Sequence, residues 1–148
     1  MKPVILPYGI RFQEDGHIET FPAAEINILG RGSKGIRAIL HIDSGASTSL
    51  LPKSDAEVLG LDLSDGQRVI VRGVGEVILT GYRHIVRFNF DGRTFTAPVI
   101  ISDQNNVPRV LGREEIFKRF GIVFDEARKR TAFLDERSQR KIIDALFR

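Results

Sequence analysis

The feature that most constrains this chain is a period of two. From His84 to Phe90 the side chains alternate, with Ile85, Arg87 and Asn89 on one face and Val86, Phe88 and Phe90 on the other. An extended strand with one buried face has this pattern. Asp91-Gly92, a hairpin turn signal, follows, and Phe95 to Ser102 returns. The motif recurs along the chain. Ala24 to Leu29 alternates, the glycine-rich segment 30–35 turns, and Ile36 to Ile42 comes back with largely apolar last residues. Residues 67–72 and 77–80 are extended on either side of Gly73-Val74-Gly75. Val110-Leu111-Gly112 is a short apolar strand, and residues 122–125 and 131–134 make a last hairpin.

Helical patterns are few. Lys53 to Leu59 is a short helix, with Ser54 as its cap and Gly60 as its stop. Arg113 to Phe120 has Ile116, Phe117 and Phe120 on one side and Gly121 as its stop. Asp135 to Arg148 is amphipathic, with Ile142, Ile143, Leu146 and Phe147 apolar. Many short strands with regular turn signals predict a mainly antiparallel β barrel or sandwich. No repeat or low-complexity linker divides the 148 residues, so a single domain over 1–148 is expected.

Composition removes several chemistries. The chain has no cysteine, which excludes disulfides, thiol nucleophiles and Cys-based zinc sites. His17, His41 and His84 are scattered without metal-ligand spacing, so no metal is expected. No apolar run reaches 18 residues, and the prolines at 3 and 7 interrupt a short apolar N-terminus with one basic residue. A soluble, cytoplasmic protein without membrane contact is the expectation. The net charge of +3 sits in the tail: residues 126–148 hold 7 basic and 4 acidic residues, while residues 1–125 hold 15 of each. Acids are interleaved and no aromatics line up with the basic residues, so a solvated helix face is expected in preference to a nucleic-acid surface. The Gly30–Gly35 segment lacks Gly-Lys-Ser/Thr and precedes a strand, so it is a turn and not a phosphate loop.

The residues that carry chemistry follow the strand ending at Ile42. Asp43-Ser44-Gly45-Ala46-Ser47 puts a carboxylate on a loop at the end of a strand expected to run into the core. Two neighbouring carboxylates can share one proton and serve as base and acid toward a peptide bond. Gly45 lets the backbone approach the carboxylate, and Ala46 leaves room for a substrate backbone. Ser44 has no Gly-x-Ser-x-Gly elbow and is not a nucleophile.

Asp43-Ser44-Gly45-Ala46 resembles the Asp-Thr/Ser-Gly-Ala loop of the retropepsin-like aspartic peptidases. Two further elements stand in the right order. Gly73-Val74-Gly75 resembles the glycine-bearing flap that closes over a bound peptide, and Val110-Leu111-Gly112-Arg113 resembles the hydrophobic-hydrophobic-Gly element. The likeness covers residues 23 to 134, between an N-terminal extension over 1–22 and the C-terminal helix at 135–148. It implies an acid protease barrel with one or two short helices before that terminal helix. It also implies Asp43 as the catalytic residue, supported by Ser44, Gly45 and Ala46. Ser47, Gly73, Val74 and Gly75 would contact substrate, and Leu111, Gly112 and Arg113 would stand behind the loop. The chain has one Asp-Ser-Gly, so the resemblance implies a symmetric homodimer acting on a peptide without a cofactor. The final helix or the terminal strands would supply the interface. Viral members usually carry an acid just after the Ala, paired with the arginine of the Gly-Arg element. Here that position is Ser47, and Arg113 is expected to find another carboxylate. A non-catalytic peptide- or protein-binding homodimer of the same fold is the alternative.

Overall fold

The computed structural model describes residues 2–148. Among them, twelve strands form three sheets, joined by two short α-helices and by turns. The alternating segments are strands. Ala23–Leu29 (β4) and Gly35–Ile42 (β5) form the expected hairpin, from Ala23 opposite His41 to Leu29 opposite Gly35. Ile78–Phe90 (β8) and Arg93–Ser102 (β9) form a longer one across Asp91-Gly92. Both turn residues have positive φ, 51° and 75°, as a type I′ turn requires. The alternation in β8 sorts its side chains as expected: Val86, Phe88 and Phe90 are buried and Ile85 is 62% exposed.

With Val110–Leu111 (β10) and Ser49–Leu51 (β6) these strands close into a barrel in the order β4, β5, β10, β6, β9, β8, with β8 pairing back onto β4 at Asn27–Asn89. The two short strands, β6 and β10, fill the gap between β5 and β9. Strand β10 runs parallel to β5, and β6 runs parallel to β9. Gln67–Arg72 (β7) pairs with the first half of β8 as a hairpin at the sheet's end. The core inside includes Ile26, Ile28, Leu40, Leu51, Val99, Ile101 and Leu111.

The termini build a second layer. Phe120–Asp125 (β11) and Arg130–Asp135 (β12) form the expected last hairpin, and Val4–Pro7 (β1) adds to β12. Phe120 and Phe133 from this sheet meet Phe90 of the barrel at centroid distances of 5.5 and 4.9 Å, joining the two layers through aromatic packing. Gly9–Phe12 (β2) and Ile18–Phe21 (β3) form a two-stranded ribbon. The N-terminal residues set apart as an extension are therefore three strands.

Three helix expectations need correction. Lys53–Val58 (α1) is N-capped by Pro52, not Ser54, and Pro52 has no side-chain acceptor to offer. Its first amides are satisfied from a neighbouring loop: Lys53 N–H donates to the Gln104 carbonyl and Ser54 N–H to Asn105 Oδ1. Gly60, with φ +68°, does end it. Residues 114–119 are turns, after a bend at Arg113, and not a helix. Glu115 has φ +65°, which breaks an α-helical run within its first turn. The terminal helix, Arg140–Ala145 (α2), is six residues long. Residues 136–139 before it are turns, held by the Asp135 carboxylate, which accepts from the amides of Arg137 and Ser138. Ile143 of α2 packs over Gly121, while Ile142, Leu146 and Phe147 are exposed. Several basic residues of the tail pair locally, Lys129 with Glu126, Arg130 with Asp125, and Arg140 with Glu136 and Asp144. No helix among the described residues is long and apolar enough to cross a membrane.

Candidate active site

The loop after β5 is held from one side by β10 and the residues that follow it. His41 N–H donates to the Arg109 carbonyl at 2.9 Å and Asp43 N–H to the Leu111 carbonyl at 3.0 Å. Arg113 and Glu114 return the bonds, their amides donating to the Ala46 and Ser47 carbonyls at 2.9 Å each. The contact is backbone against backbone, and Gly112 makes it possible. A Cβ there would lie 2.4 Å from the Thr48 carbonyl carbon. Its amide donates to Ser49 Oγ at 3.0 Å, a hydroxyl with no solvent exposure. Leu111, fully buried, anchors the element in the core.

Within the loop, Gly45 N–H donates to Asp43 Oδ1 at 2.8 Å, and Ala46 N–H donates to the Asp43 carbonyl at 3.2 Å. The half-buried Asp43 carboxylate is thus oriented by its own turn. A Cβ on Gly45 would come within 3.1 Å of Asp43 Oδ1, so glycine keeps the carboxylate uncrowded. Arg113 does not pair with a carboxylate among the described residues. Its Nη1 donates to the Ser44 carbonyl at 2.9 Å. With Ser47 in the place of an acid, the guanidinium binds the loop's backbone directly.

The β7–β8 hairpin reaches toward this loop. Gly73 N–H donates to the Val77 carbonyl at 2.8 Å, closing a tip in which Gly75 and Glu76 have φ of 75° and 67°. Val74 at the tip is 99% exposed. Between tip and loop lies a cavity of about 650 Å³. Asp43, Gly45, Ala46 and Ser47 line it from the loop, and Gly73 and Val74 from the hairpin. Six of the residues singled out in the sequence therefore share one cleft. Ser44 and Gly75 are exposed and do not line it, and Leu111, Gly112 and Arg113 stand behind the loop.

The cleft has further walls that sequence reasoning did not single out as site residues: Thr48, Leu50, Val71, Arg72, Ile100 and Val110. Leu50 and Ile100 meet through the parallel β6–β9 pairing, which no local pattern announces. Val71 and Arg72 carried one usable signal, their place immediately before the glycines of the tip. Thr48 Oγ1 donates to Glu114 Oε2 at 3.0 Å and Arg83 Nη2 donates to Glu114 Oε1, tying the loop's far end to β8. The three histidines have structural settings. His84 Nε2 lies 3.1 Å from the Leu63 carbonyl, His41 packs on Phe21, and His17 faces Asp15. No group of three metal-ligating side chains occurs among the described residues.

A family model described as aspartyl protease matches residues 27–114, which includes the loop, the hairpin and the Gly112 element. Among solved structures, a retropepsin-like aspartic protease from Rickettsia conorii superposes with TM-score 0.59 at 19% identity, covering 89% of this chain and 98% of that one. The EIAV protease complexed with the inhibitor HBY-793 gives TM-score 0.51 at 21% identity, covering 68% and 88%. These likenesses establish the retropepsin-like fold. No curated protein matches the chain significantly by sequence.

Proposed function

Because the chain belongs to the aspartyl protease family, we propose that it is an aspartic endopeptidase that works as a homodimer. Asp43 and the partner subunit's Asp43 hold one water and share one proton. The ionised carboxylate removes a proton from the water, and the protonated one polarises the scissile carbonyl. The observation that carries this reading is the single cleft shared by the Asp43 loop and the hairpin tip. A peptide lying extended there passes under Gly73 and Val74 with Ala46 and Ser47 beside it. Ser44 is exposed on the loop's outer side, where its hydroxyl is free to meet a second copy. The proposal treats 1–148 as one domain and the protein as cytoplasmic, which fractionation of cells carrying a tagged copy checks. It requires no cofactor.

The test is the Asp43→Asn variant assayed on a mixed peptide library between about pH 4 and 7, where a shared-proton pair can work. Cleavage should disappear while solution mass still reports a folded dimer. Cleavage retained in a clean preparation would sink the mechanism. A wild-type dimer that binds peptides and cleaves none across that range would favour the non-catalytic alternative.

A further inference from the structure

The cleft carries two charged lining residues, Asp43 on the loop and Arg72 on the hairpin; the rest of its lining is uncharged. Arg72 is the last residue of β7, opposite Ile78, and is exposed. Arg83 and Arg109, on other elements, are committed elsewhere, to Glu114 and Asp55. Among the described residues Arg72 has no ion-pair partner, and Glu76, the acid on the same tip, forms none with it. A guanidinium without an internal carboxylate keeps its fork of donors for a ligand, and a carboxylate is its best geometric match.

We infer that Arg72 makes the cleft selective for peptides carrying an acidic side chain to the side of the cleavage point, with apolar side chains between. This rests on reading the cleft as a peptide-binding site. Charge dictates the placement. The Asp43 pair holds net negative charge in its working state, so an acid at the scissile bond is repelled. An acid beside the hairpin is attracted. Leu50, Val71, Ile100 and Val110 leave the intervening wall apolar. Twofold symmetry supplies an Arg72 on each flank, so the preference holds on both sides of the cleaved bond.

The test uses the full-length protein and peptides identical except at one flanking position, which carries Glu, Gln or Lys. Two readouts are taken: kcat/KM of the wild type, and equilibrium binding to Asp43→Asn, which needs no turnover. Arg72→Gln and Arg72→Glu are introduced into both backgrounds. Glu should be preferred over Gln by about fivefold at low salt, less at high salt, as expected for a partly exposed ion pair. Arg72→Gln should bring the ratio to about one, and Arg72→Glu should shift the preference to Lys. No Glu preference in the parent chain, or one that survives both substitutions, overturns the inference. If the wild type cleaves nothing, the endopeptidase reading fails, and the binding ratios still decide the role of Arg72.

Discussion

A methyl group on Gly112 would stand 2.6 Å from the Thr48 carbonyl oxygen and 2.8 Å from the Ser49 amide nitrogen. These are backbone atoms on the strand-end that carries the Asp43 loop, so they cannot swing aside as a long side chain can. Gly112→Ala should therefore push β10 away from the loop and stretch the bonds that Asp43 and Arg113 make across it. We expect a stability loss of about 1–3 kcal/mol, the usual range for overpacking, measured by urea unfolding. Peptide cleavage should fall further than the loss of folded protein accounts for. A variant with native stability and native cleavage would show that the contact is looser than described. At this scale the sequence was most legible. Asp43, Gly45 and Gly112 each serve a local geometry that their residue type announces. Arg113 was legible only in part. Its charge suggested a carboxylate partner, but the partner is a carbonyl, because Ser47 removed the acid and the loop's own backbone lay within reach.

Between elements, one ion pair has disproportionate reach. Asp55 in α1 is 3% exposed, and its two oxygens accept from Arg109 Nε and Nη2 at 2.8 and 2.9 Å. The carbonyl of Arg109, just before β10, accepts from His41 N–H in β5, so the pair couples the helix to the strand that steadies the Asp43 loop. Asp55→Ala should destabilise the fold by about 2–3 kcal/mol, because it leaves a half-exposed guanidinium without its partner in a fixed position. A double-mutant cycle with Arg109→Gln measures the coupling, which should exceed that of an exposed pair such as Arg31–Asp65. Neither partner stands out in the sequence, since residues 54 apart show no periodicity. The hairpins were legible because alternation and turn chemistry are local. The parallel pairs β5–β10 and β6–β9 were not, because each is short and distant in sequence. The β2–β3 ribbon was missed although Gly9–Phe12 and Ile18–Phe21 flank an Asp15-Gly16 turn, the same signal read correctly at Asp91-Gly92. The segment 113–119 had helical spacing, but the left-handed Glu115 breaks it into turns.

For the whole molecule, two acids of the terminal sheet make part of its stability depend on pH. The Asp135 carboxyl is held below the usual range chiefly by the Ser138 amide, with further help from the Ser138 hydroxyl and the Arg93 charge. The hydrogen bond from Arg130 does the same for Asp125. The two acids sit at opposite ends of the β11–β12 hairpin, opposite Phe120 and Arg130. Both folded-state values lie below the unfolded ones, so the stability they add is present above the ordinary carboxylate range. It is lost as pH falls through the lower folded values. Asp135→Asn should be less stable than the parent at neutral pH and should lose less on acidification below about pH 4, measured by urea unfolding at each pH. The peptide assay between about pH 4 and 7 therefore runs above the range in which these two acids lose their contribution. Mixing wild type with Asp43→Asn isolates the dimer. If each subunit contributes one aspartate, mixed dimers lack the pair. An equal mixture, after exchange is complete, should retain about half the activity of the same wild-type concentration alone, since half of the wild-type subunits are then in mixed dimers. Greater excess of the variant should reduce it further, and dilution of pure wild type should lower activity per subunit once dimers dissociate. Activity indifferent to both manipulations would mean that one Asp43 suffices, and the two-copy mechanism would have to be abandoned.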